Sequence, residues 1–149
     1  MRDIRHFING EFVASASGKT FEDINPATGQ VIAKVHEGGK AEIDQAVAAA
    51  RAALKGPWGR LPVAERMALL QKLADGIQAR AEEFAQAEVA DNGMPISLAR
   101  HVNIPRGSAN FVQFAEHFKY VATECWEMDG ALNYALRRPL GVVGIISPW

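Results

Sequence analysis

The sequence predicts an α/β fold, and more narrowly the front portion of one. Three observations carry this. Alternating strand signals crowd residues 1–36, helical periodicity governs residues 38–123, and a strand apolar on both faces arrives at 142–146. With 149 residues, 48% hydrophobic and 22% charged, the composition is that of a globular domain and not of a disordered tail. Sixteen Lys and Arg against seventeen Asp and Glu give a net charge of −1. The diffuse positive field that binding a phosphate backbone needs is missing, so no nucleic-acid partner is expected. The single cysteine, Cys125, can close no internal disulfide, which favours a reducing compartment, by default the cytoplasm. No membrane partner is expected, because the apolar run Leu140 to Ile146 falls far below the roughly 20 residues of a spanning helix.

Along the chain, Asn9-Gly10 between Phe7-Ile8 and Phe12-Val13 predicts a tight hairpin, since both residues tolerate positive φ. Thr20 to Ile24 alternates as a strand. Asn25-Pro26-Ala27-Thr28-Gly29 turns the chain, and Gln30 to Val35 returns as its partner. These elements form a β arm over residues 1–36. From Gly38 the period becomes helical, with Ile43, Val47, Ala50 and Leu54 on one face until Gly56-Pro57. Pro62 opens a second helix, striped by Met67, Leu70, Ala74, Ile77 and Ala81 and running with a bend through Phe84 to Val89, where Asp91-Asn92-Gly93 ends it. A third helical stretch runs from Ile96 to about Thr123, and Pro105-Arg106-Gly107 predicts a kink or break within it. After Asp129-Gly130 the alternation of Leu132, Tyr134 and Leu136 predicts a half-exposed strand over 131–138.

Val142 to Ile146 is apolar on both faces, as in a parallel strand covered by helices on both sides. Such a strand needs parallel neighbours, reached through crossover connections of about a dozen residues or more. The sequence after it, Ser147-Pro148-Trp149, supplies none, so residues 141–149 are expected to be the first inner strand of a larger sheet.

Four segments occur in a telling order: Phe7-Ile8-Asn9-Gly10-Glu11-Phe12, Asn25 to Ile32, the Ala-rich helix, and Gly141-Val-Val-Gly-Ile-Ile-Ser-Pro-Trp149. Together they resemble the N-terminal third of the aldehyde dehydrogenase superfamily. Asn103-Ile-Pro-Arg-Gly107 with Asn110-Phe111, and Ala131 to Pro139, are similar to the 2-hydroxymuconic and 2-aminomuconic semialdehyde dehydrogenases of aromatic-ring degradation. The stretch Trp126 to Gly130 is shorter than that resemblance leads one to expect. The fold implied is the N-terminal part of the aldehyde dehydrogenase fold: a β arm, the helical part of the cofactor domain over 38–123, an oligomerisation-type strand over 131–138, and the first strand of a Rossmann-like parallel sheet.

The resemblance implies NAD-dependent oxidation of an aldehyde to a carboxylate. In the family a cysteine thiolate attacks the carbonyl, an asparagine amide and a backbone N–H hold the oxyanion, and a glutamate activates the hydrolytic water. Family order places the phosphate-binding loop and these three side chains beyond Trp149, so none of the 149 residues is assigned a catalytic role and the chain alone is expected to be inactive. Cys125 reads as a small structural hydrophobe.

The resemblance also marks residues that are present. Ile146, Ser147, Pro148 and Trp149 match the segment bordering the nicotinamide half of NAD. Arg106 follows a helix-disrupting proline and is expected to project from irregular backbone, where its planar guanidinium suits the distant carboxylate of an acidic semialdehyde. Asp91 with the backbone at Ile24 corresponds to a structural monovalent-cation site, although a helix cap also accounts for Asp91-Asn92-Gly93. The strand over 131–138 implies a homo-oligomer. His6, His36, His101 and His117 lack the spacing of a metal motif, and Glu82, Glu83, Glu88 and Asp91 near Arg80 read as a solvated face. A reading of another class is a non-catalytic module that pairs with a full-length subunit through Leu132 to Leu136.

Overall fold

A computed structural model describes residues 2–147. The hairpin at Asn9-Gly10 joins β2 (His6–Ile8) to β3 (Glu11–Val13), and positive φ at both turn residues gives the strands their matching twist. Phe7 faces Phe12 across it with ring centroids 5.2 Å apart. β4 (Thr20–Ile24) runs antiparallel to β5 (Val31–His36). The turn between them forms as Asn25 Oδ1 accepts the N–H groups of Ala27 and Thr28 at 2.9 and 3.2 Å.

One strand was not expected. β1 (Arg2–Ile4) adds parallel to β5, which thus becomes the centre of a three-stranded sheet ordered β1-β5-β4. Three residues with two charges give no periodic signal; their order comes from the pairing edge of β5.

Helix α1 (Lys40–Ala53) begins at a capping box in which Glu42 accepts the N–H of Gly39 at 2.7 Å. The other Glu42 oxygen accepts the N–H of Ala16 at 2.7 Å, so one carboxylate stitches the loop after β3 to the helix start. This corrects the expected stripe. Glu42 is buried while Ile43 is 61% exposed, because two backbone donors outbid an apolar face that finds no cover here. A short helix α2 (Pro57–Arg60) follows the Gly56-Pro57 stop.

The expected stripe of the second helix holds: Ala74 is buried, and Met67, Leu70, Ile77 and Ala81 are half-buried. It is divided into α3 (Val63–Ala79) and α4 (Ala81–Asn92), broken at Arg80, whose guanidinium pairs with Glu83 and lies 5.5 Å over the Phe84 ring. Gly93 ends α4 at φ 74°, where an added Cβ would also stand 2.8 Å from Pro26 Cγ. The cap therefore docks the helix against the β4–β5 turn.

The third stretch comprises a single turn α5 (Ile96–Leu98), a π-helical turn (Ala99–Asn103) and α6 (Ile104–Phe118), ending five residues short of the expected Thr123. α6 packs on α3, and at the contact the buried Ser108 hydroxyl donates to the Ala74 carbonyl at 3.1 Å. Among the described residues the buried apolar side chains are all small: Ala33, Ala74, Ala85, Ala99 and Ala115. β6 (Cys125–Met128) and β7 (Ala131–Tyr134) form a second hairpin through Asp129-Gly130. Of the strand expected over 131–138 only Ala131–Tyr134 forms, because β6 offers a partner no further, and β6 itself was not expected.

Residues 141–147 correct a further expectation, since they form no strand. A parallel strand exists through the hydrogen bonds of its neighbours, and among the described residues nothing pairs with this one.

Candidate functional site

The π-helical turn determines how Arg106 is presented. A proline ring clashes with the carbonyl four residues earlier and removes a backbone donor. Upstream of Pro105 that carbonyl belongs to His101, inside the widened turn. The turn is held from both ends: Ala99 is fully buried, Arg100 pairs with Glu82 of α4 through two bonds of 2.8 and 2.6 Å, and Asn103 Nδ2 donates to Met94 Sδ at 3.1 Å. The break expected at Pro105-Arg106-Gly107 is therefore absorbed one turn earlier. Arg106 lies in the regular first turn of α6, not on irregular backbone, and its side chain is exposed. α6 turns Ser108, Phe111 and Ala115 toward α3 and leaves Arg106, Asn110 and Gln113 exposed, while His117, nearer the helix end, borders a cavity with Val63, Met67 and Leu70 of α3.

A second constellation lies between the sheet and α4. A cavity of about 570 Å³ is bordered by Ile4, Asp23, Ile32, Ala33, Phe84 and Asp91, among others. Asp23 is raised above the ordinary carboxyl value, first by burial and then by the facing Asp91 carboxylate. Two converging carboxylates make an oxygen donor set suited to a hard cation, and the adjoining Ile24 backbone carbonyl is of the same kind, while Arg2 borders the same cavity. Asp23 is thus a partner of Asp91 that the sequence reading missed, because the pair lies far apart in sequence and is joined only when α4 docks on the sheet. Among the described residues no three His, Cys, Asp or Glu gather as a metal cage.

The acidic face of α4 is more structured than a solvated surface. Glu82 accepts from Arg100 and from Gln86, and the Arg100 bonds hold its carboxyl down to about 2. Glu83 is lowered in the same sense by Arg80.

At the far end of the chain Ile146 is 97% exposed, and Ser147 is exposed beside it. Pro148 and Trp149, the other two residues expected at the nicotinamide, lie outside the described residues. An aliphatic side chain and a hydroxyl, both open to solvent, fit one wall against a planar ring; no phosphate cradle accompanies them among the described residues. Cys125 is exposed on β6, which corrects its reading as a buried hydrophobe: both strands of this hairpin face outward, and Asn133 alone is half-buried.

The aldehyde dehydrogenase family model matches residues 12–149. The chain belongs to the aldehyde dehydrogenase family. It is 63% identical over its whole length to the 2-hydroxymuconic semialdehyde dehydrogenase of Pseudomonas sp. (strain CF600), covering 32% of that protein. It is 44% identical to the 2-aminomuconic 6-semialdehyde dehydrogenase of a Pseudomonas species, covering all of this chain and 31% of the relative. Among solved structures, the NAD+ complex of an aldehyde dehydrogenase from Bacillus cereus superposes with a TM-score of 0.85 at 42% identity, over 89% of this chain and 28% of that one. The chain thus spans about a third of the length of the curated relatives it matches. The fold is that of the N-terminal part of these aldehyde dehydrogenases. No helix among the described residues is long and apolar enough to cross a membrane.

Proposed function

We propose that this aldehyde dehydrogenase sequence serves the NAD-dependent oxidation of an aldehyde that carries a carboxylate, of the 2-hydroxymuconic semialdehyde type, in the cytoplasm. The observation that carries the reading is the exposed Arg106 on α6 within a chain 63% identical throughout to a 2-hydroxymuconic semialdehyde dehydrogenase. The helix turn that carries this guanidinium is anchored by Ser108 and the Arg100–Glu82 pair, and its planar fork of donors matches a carboxylate with two parallel bonds. Ile146, Ser147, Pro148 and Trp149 serve as one wall of the nicotinamide pocket, and NAD, when bound, supplies the hydride acceptor. Asp91, with the Ile24 carbonyl and Asp23, holds a monovalent cation that ties α4 to the sheet.

In domain terms, 1–36 is the β arm, 38–123 the helical part of the cofactor domain, 131–138 the segment through which subunits of a homo-oligomer pair, and 141–149 the segment that becomes the first inner strand once parallel neighbours are present. Residues 1–149 alone carry no oxidation, since the family resemblance places the reactive cysteine, the oxyanion asparagine and the water-activating glutamate beyond Trp149. Exposure of Trp126, Met128, Leu132 and Tyr134 on that hairpin also favours a second reading, a non-catalytic piece that pairs with a complete subunit.

The test joins residues 1–149 to the remaining two thirds of the Pseudomonas relative and follows NADH formation. The fused enzyme is expected to oxidise acidic semialdehydes in preference to neutral aldehydes, and the 149-residue chain to form no NADH. Equal turnover of acidic and neutral aldehydes contradicts the substrate assignment; NADH from the isolated chain contradicts its inactivity.

A further inference from the structure

We propose that Asn110 is a second specificity-determining residue, whose side-chain amide reads the hydroxyl or amino group on the carbon next to the carboxylate held by Arg106. The inference rests on the role given to Arg106 above and extends it to a different atom of the substrate.

Helix phase carries the argument. Packing against α3 fixes the rotation of α6, with Ser108 bonded to Ala74 and Ala115 buried. Arg106, Asn110 and Gln113 then recur at the spacing of one face, and all three are exposed. The acid of this helix, Glu116, sits off that line and is paired with Lys119 at 2.6 Å. The stripe therefore presents a cation and two amides without an anion that would repel an acidic ligand. Among the described residues none of these three side chains is hydrogen-bonded, whereas Glu82, Glu83 and Glu88 of α4 are tied to neighbours.

Residues four apart on a helix place their Cβ atoms about 5–6 Å from each other. A long guanidinium and a short amide at that spacing suit two groups on adjacent carbons: a carboxylate, which takes the fork, and its neighbouring substituent. The amide offers an acceptor oxygen and a donor nitrogen, so it can pair with either a hydroxyl or an amino group. The relatives named 2-hydroxymuconic and 2-aminomuconic semialdehyde dehydrogenases are distinguished at that substituent. An aspartate at this position would repel the substrate carboxylate, and an apolar side chain would leave the substituent unpaired once water is excluded.

The test compares kcat/KM for 2-hydroxymuconic semialdehyde with that for the muconic semialdehyde lacking the 2-substituent, in the fused enzyme described above. Asn110→Ala is expected to lower the ratio of the two values about tenfold, as loss of one hydrogen bond implies, through KM more than kcat. Asn110→Ser, which keeps a hydroxyl, restores part of the ratio. Arg106→Ala lowers both values together, because both substrates carry the carboxylate. If Arg106→Ala acts and Asn110→Ala leaves the ratio unchanged, the Asn110 assignment falls alone. If Arg106→Ala leaves both substrates unaffected, or the fused parent turns over neither, the underlying reading falls and this inference with it.

Discussion

The junction between the β arm and α1 differs in kind from the chain after residue 120. At the junction the loop amides are claimed by specific acceptors: Ser15 N–H by His36 Nδ1 at 3.0 Å, and Ala16 N–H by Glu42 at 2.7 Å. Since Nδ1 accepts, Nε2 of His36 carries the proton and donates to Asp3 Oδ1 at 3.2 Å, which ties β1 into the same network. In the later region β6 and β7 satisfy one another, yet Trp126, Leu132, Tyr134, Leu136 and Ile145 remain exposed. The first region is ordered by contacts within itself. The second has its backbone geometry but lacks cover for its apolar surface, and such patches mark surfaces used for contact.

The largest effect expected from this contrast is in amide hydrogen exchange of the isolated chain. Amides of α3 and α6 should exchange orders of magnitude more slowly than those of 141–147, because only the former must break packed helix to open. Comparable protection in both regions would break the comparison. A smaller effect sharpens it from the ordered side: Gly93→Ala forces a side chain to φ 74° against Pro26, and should cost about 1–3 kcal/mol, read as a fall in the thermal midpoint. An unchanged midpoint would mean that α4 is not docked on the β4–β5 turn.

The smallest effect is a pH dependence. Two backbone N–H donors, from Ala16 first and Gly39 second, hold the Glu42 carboxyl below its ordinary value of 4.5. The folded state therefore binds this proton less readily than the unfolded chain does. The stabilisation is complete above the unfolded value and is lost as pH falls through the lower folded one. Glu42→Gln should be less stable than the parent at neutral pH and flatten the acid limb of the stability curve between those two values. An acid limb identical to the parent's would contradict the role.

The division of the fold between what is legible in sequence and what is not follows the range of the interactions. The Asn9-Gly10 hairpin, the Asn25 turn and the Gly93 cap are written in residues within a few positions of each other, and each forms as read. β1 depends on β5, more than twenty-five residues away, and Asp23 meets Asp91 only through tertiary docking. The π-helical turn escapes periodicity because Pro105 announces a disruption without saying that the preceding turn takes it up. Glu42 leaves no mark on the sequence pattern because hydrophobic periodicity does not register a carboxylate that replaces missing backbone partners. The Arg106 region was readable as a motif, but only the structure gives the helix phase that sets Asn110 beside it.

The claim at the centre is that Arg106 meets the acidic end of the substrate. The direct measurement is steady-state kinetics of Arg106→Ala against its parent in the fused enzyme, with an acidic semialdehyde and a neutral aldehyde of similar length. The account predicts that KM for the acidic substrate rises about a hundredfold, the scale of losing one partner of a bonded charge pair, while KM for the neutral one changes little. An equal KM for the acidic semialdehyde in parent and variant would contradict it.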